Sequence, residues 1–128
     1  MAWTRISRGK PRVRGVNAKY SGLIDVEIDL NPATPPREWA EFFSRPFAVP
    51  TSLSMHPPEL SGSTVRLMCP DNEMDAYVAN VDARIEAANN FFESQVLPSL
   101  EAAEASVQRD RAAAQARVAD AQRRAEKL

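Results

Sequence analysis

The chain has 128 residues, a mass of 14.2 kDa, and 16 Lys+Arg against 17 Asp+Glu for a formal net charge of −1. That size holds one ordinary domain or a small domain with an extension, and the charge balance argues against a strongly cationic nucleic-acid binder or an acidic solvating chain. A hydrophobic content of 44% supplies a core, while a single Cys and a single His leave no disulfide framework, no Cys/His zinc site and no histidine to spare for a hydrolase.

Proline and glycine are unevenly placed. Nine of the ten Pro and all four Gly precede residue 71, whereas Asp71 to Leu128 holds 15 Ala, no Gly and only Pro98 as a breaker. Ala is the best helix former, and Gly and Pro interrupt helices, so the second part is expected to be almost wholly helical. The expected division is a small α+β domain over 1–97 and an Ala-rich helical extension over 98–128.

In chain order, the basic N-terminus is followed by no apolar run of signal-peptide kind, and no stretch is long and apolar enough to span a membrane. Arg12 to Tyr20 reads as a strand with a bulge at Gly15, turned by Ser21-Gly22. Leu23 to Leu30 is the clearest strand: Ile24, Val26, Ile28 and Leu30 alternate with Asp25, Glu27 and Asp29, so one face is buried and the other is wet. Pro32 ends it. A short helix follows, capped by Thr34 with Pro35 in its first turn, and Trp39, Phe42 and Phe43 share one core-facing stripe. Phe47 to Gly62 reads as a loop packing through Phe47, Val49 and Leu53. Thr64 to Cys69 is a third strand with Val65, Leu67 and Cys69 inward. Asp71 is the expected N-cap of a long helix whose Met74, Val78, Val81, Ile85, Ala88 and Phe92 repeat at spacings of four and three. Pro98 is expected to kink it. The fold class is therefore α+β: a small, mostly antiparallel sheet of about three strands packed on helices, with a long C-terminal helix kinked near Pro98.

The charges suggest two kinds of surface. Arg5, Arg8, Lys10, Arg12, Arg14 and Lys19 form an N-terminal arm with no acid. Arg12 and Arg14 are expected to sit across from the Asp25/Glu27/Asp29 face, with Arg66 flanking, as a ladder of cross-strand pairs. Arg5, Arg8 and Lys10 fall outside that ladder and stay available. The three strand acids stand roughly 6.5–7 Å apart, too wide for one metal ion without other ligands. The acids Asp71, Glu73 and Asp75 compensate the helix dipole. His56 and Cys69 are the one conceivable base–nucleophile pair, against a plainer reading of a surface His and a buried Cys. No Gly-rich phosphate loop exists. Trp3 has no evident core context and reads as a free anchor.

The functional lead is the C-terminal helix. Ser99 to Leu128 would run about 45 Å, longer than a head of this size can bury. Its mixed charges and small apolar stripe read as a coiled-coil or bundle surface and not as a membrane-surface helix. The expectation is a non-enzymatic, cytoplasmic interaction module of bacterial or phage type, without cofactor, metal or catalytic residues. It forms a homo-oligomer through Leu100, Ala103, Val107, Ala114, Val118 and Ala121, and captures a protein partner. The alternative is a nucleic-acid-binding regulator with Arg5, Arg8, Lys10, Arg12 and Arg14 on phosphates. Membrane is not an expected partner.

Overall fold

The computed structural model describes residues 3–32, 34–45 and 56–128. The strict alternation in the middle of the first half becomes the central strand, β3 (Ile24–Asn31), with Val26, Ile28 and Leu30 buried. Four strands flank it, making a sheet of five where about three were expected. These are β1 (Ser7–Arg8), β2 (Arg12–Val16) and, beyond a short helix α1 (Arg37–Phe43), the hairpin β4 (Glu59–Ser61) and β5 (Thr64–Cys69). All pairings are antiparallel: β1 and β2 lie along one side of β3, β5 along the other, and β4 is the outer strand beyond β5.

The β3–β5 register sets the two faces. Val26 pairs with Leu67 and Ile28 with Val65 on the inner face, while Glu27 pairs with Arg66 on the outer one. Val65, Leu67 and Cys69 are buried, as their alternation predicts. The register slips between Val13 and Gly15, and Gly15 takes φ 142°, so the bulge falls where glycine interrupts the pattern.

The core is sealed by two helices. After Pro70 a 3₁₀ turn (Asp71–Glu73) leads into α2 (Met74–Phe91), which buries Tyr77, Val81, Ile85 and Ala88 against the sheet. Trp39 and Phe43 of α1 are fully buried and stack with ring centroids 5.4 Å apart. A π-helical turn (Phe92–Val96) then joins α2 to α3 (Leu97–Glu126).

Several expectations need correction. The helix α1 begins at Arg37, and neither Thr34 nor any other side chain caps it. Asp71 starts the 3₁₀ turn, not the helix, and gives no side-chain cap to α2. The segment read as loop up to Gly62 contains β4, while Phe47, Val49 and Leu53 lie outside the described residues. The irregularity attributed to Pro98 lies in the turn before it. A proline ring crowds the carbonyl four residues back, here that of Ser94, which lies inside the widened turn. Pro98 itself occupies the first turn of α3, where its missing N–H costs nothing. No helix among the described residues is long and apolar enough to cross a membrane.

Candidate interaction surfaces

The basic arm is the first candidate. Arg12 bonds Asp29 and reaches Glu27 at 3.4 Å, and Arg14 lies 3.7 Å from the same Glu27. This is the expected ladder on the outer sheet face. The Arg12 guanidinium, by its hydrogen bond, holds the Asp29 carboxyl below the usual carboxylate range, helped by the Thr64 hydroxyl, which donates at 3.2 Å. A groove of about 340 Å³ runs beside it, lined by Arg14, Asp25, Glu27, Glu59 and Arg66. Its charges alternate in sign, so no single-sign field is presented to a ligand.

The rest of the arm differs from expectation. Arg5 pairs with Glu93 and Glu86, and Arg8 binds Asp82 through two nitrogens. These acids stand at four- and seven-residue spacings, Asp82 and Glu86 on α2 and Glu93 in the π-helical turn after it, so they form one stripe facing the N-terminal segment. Arg5 and Arg8 are thus engaged, not available. Of the five residues assigned to phosphate contact, Lys10 alone forms no ion pair among the described residues. Trp3 is no free anchor either: its ring lies 4.3 Å from that of Phe92, and its Nε1–H donates to Glu93 at 2.9 Å.

The buried polar groups serve architecture. Asn89, on α2, accepts from the Ile6 N–H at 3.0 Å and from Trp39 Nε1–H at 2.9 Å, and donates to the Ile6 carbonyl at 2.9 Å. One amide thereby ties the N-terminal segment and α1 to α2. Arg84 is buried and donates to the carbonyls of Phe43 and Arg45, both at 3.0 Å, which fixes the end of α1. Burial pushes its guanidinium pKa down. Neither residue is patterned as core, and sequence reasoning passed over both.

Nucleophilic chemistry finds no support in the geometry. Cys69 is buried, and burial, then the charges of Glu73 and Asp71, push its thiol up, away from the reactive thiolate. His56 is exposed and uses its backbone N–H toward the Tyr77 hydroxyl at 3.4 Å. Among the described residues, no group of three or more His, Cys, Asp or Glu is placed to hold a metal ion.

The remaining candidates are apolar. The large hydrophobic residues left exposed among the described residues fall in two places. One is β2 and the turn after it, with Val13, Tyr20 and Val16, the last 66% exposed. Val13 pairs with Val26 and so lies on the inner face, but α2 packs on β5 and leaves this corner uncovered. The other is α3, with Val107, Leu128 and Val118, the last 69% exposed. Leu100 is the last α3 residue packed against the core, and every residue from Glu101 to Leu128 is exposed. Ala114 and Val118 line a shallow, mostly apolar depression on that surface. Val107, Ala114, Val118, Ala103 and Ala121 are therefore all accessible, while Leu100 is shared with the head. Comparison with protein-family models, with curated proteins and with solved structures finds no match for this chain.

Proposed function

We propose that the protein is a non-enzymatic, cytoplasmic interaction module of bacterial or phage type that self-associates through α3 and captures a protein partner on its head. The observation that carries this is the segregation of exposed apolar side chains into two patches, the β2 corner and the α3 stripe. Scattered exposed apolar residues are ordinary, but clustered ones mark contact surfaces. Helices in proteins draw most of their stability from packing an apolar face, and a second helix against the exposed stripe of α3 supplies that burial. The same arrangement gives the nucleic-acid alternative less support, because four of its five basic residues already hold carboxylates.

Light scattering tests the first half. The full chain is expected above monomer mass, and a Val107→Asp/Val118→Asp chain at monomer mass. Identical monomer masses for both would remove self-association. Affinity capture from the native host tests the second half, with Val13→Glu/Val16→Glu as the matched control. A partner retained equally by both chains places the contact elsewhere.

A further inference from the structure

We infer that the partner of α3 is a second copy of α3 lying antiparallel to it, with the two-fold axis at Ala114; this rests on the self-association proposed above. At about 100° per residue, Leu100, Ala103, Val107, Asp110, Ala114, Val118, Ala121 and Ala125 fall within about 40° of the Ala114 direction. That sector is the contact stripe, and Asp110 is its one charged member. On the same flank, at about 60°, stands Arg117.

Asp110 and Arg117 are two turns apart on one helix, too far to meet each other, and neither forms an ion pair among the described residues. An axis at Ala114 places residue 110 of one copy beside residues 117 and 118 of the other. Like flanks face one another across an antiparallel two-fold pair, so Asp110 meets the second copy's Arg117, and symmetry repeats the contact. A parallel, in-register pair crosses the flanks instead: Asp110 approaches only Asp110 near the seam, and Arg117 faces the flank that carries Val118 and Gln122, with no carboxylate to meet. The whole helix repeats the bias. From residue 97 to 112 it carries three acids against two bases, and from 113 to 128 two acids against four bases. Only the antiparallel arrangement lays the acidic half on the basic half.

Side-chain volume agrees with charge. The antiparallel register puts Val107 opposite Ala121 and Ala103 opposite Ala125, large or small against small, so the helix axes can approach toward the lower end of the usual 8–10 Å. A parallel register stacks Val107 on Val107 and Val118 on Val118 but Ala103 on Ala103 and Ala121 on Ala121, alternately crowded and empty.

The test uses full-length chains. Val107→Cys and Ala121→Cys chains are each treated with a short bis-maleimide, alone and mixed; Cys69 is buried and stays out of the reaction. The mixture is expected to cross-link well beyond either chain alone. Cross-linking of Val107→Cys by itself as readily as the mixture would overturn the antiparallel inference and leave self-association standing. Monomer mass for the unmodified chain by light scattering would overturn both. As a second readout, Asp110→Arg or Arg117→Asp alone is expected to raise the dissociation constant about tenfold, and the double exchange to restore it. No restoration would remove the Asp110–Arg117 contact.

Discussion

The head and α3 are stabilised under opposite rules. In the head, apolar side chains from five elements meet with Ile6 in one core, buried polar groups are tied by Asn89 and Arg84, and the arginines of the basic arm are paired with strand and helix acids. Past Leu100 nothing is buried, and the helix is held by backbone bonds, alanine propensity and local pairs such as Asp120 with Arg123. The difference teaches that the head covers most of its apolar surface from within, the β2 corner excepted, whereas nothing among the described residues covers the stripe on α3. Variants that separate the two regions can break or sharpen that contrast.

The largest effect is expected from Asn89→Ala. It leaves the Ile6 N–H, the Ile6 carbonyl and Trp39 Nε1–H buried without their partners. An unsatisfied buried polar group costs about 1–3 kcal/mol, so a loss of about 3 kcal/mol or more is expected, a large share of a small domain's stability. Both tryptophans lie in the head, so fluorescence during urea unfolding reads it directly. Asn89→Asp keeps the acceptor for Ile6 and Trp39 but loses the donor to the Ile6 carbonyl and buries a carboxylate beside it, so it should be destabilising as well. Equal stability of Asn89→Ala and the unmodified chain would show that the head is not tied through this amide.

A smaller, regional effect is expected from Ala113→Gly/Ala116→Gly on α3, off the contact stripe. Each glycine weakens the local helix by about 1 kcal/mol relative to alanine. Far-ultraviolet circular dichroism should fall, while the fluorescence midpoint of the head moves by less than about 0.5 kcal/mol. A head shifted by more than about 1 kcal/mol would mean the two regions unfold together, and the contrast between them would collapse.

Legibility followed the range of the interaction. The strands β3 and β5 and the buried stripe of α2 were readable because a period of two or near four is written in neighbouring residues. The ladder of Arg12 and Arg14 on Glu27 and Asp29 was readable because its register follows from one hairpin. The hairpin β4–β5 had a signal that went unused: Gly62-Ser63 stands between the apolar Leu60 and Val65, and Gly62 takes φ 61°, the pattern of a two-residue turn with glycine first. The strand β1 had no such signal. It is two residues long, and its neighbour Ile6 is held by Asn89 from 83 residues away. Arg5 and Arg8 looked free because their acids lie on α2 and the turn after it, although Asp82, Glu86 and Glu93 share one helical face that a cationic segment could match. On α3 the stripe was legible, but its accessibility was not; only the fold shows that the head stops at Leu100.

The smallest effect concerns acid. Asp29 has its carboxyl pKa lowered, chiefly by the hydrogen bond from Arg12. A group whose folded pKa is depressed contributes stability that is present above its unfolded pKa and is lost as pH falls through the folded one. The head should therefore lose stability as pH falls from about 4, the ordinary carboxylate range, downward through the lower folded value, and Asp29→Asn should make that decline shallower. Urea midpoints across this range, at low and raised salt, measure it. Because Arg12 and Asp29 are both solvent-exposed, salt screens their attraction, so the difference between the two chains should shrink as salt rises. An identical acid slope in both chains would mean the ladder adds nothing measurable to the head. Its role would then be the one its geometry already serves: neutralising the outer face of β2 and β3, while the corner at Val13, Val16 and Tyr20 keeps the exposed apolar surface of this edge among the described residues.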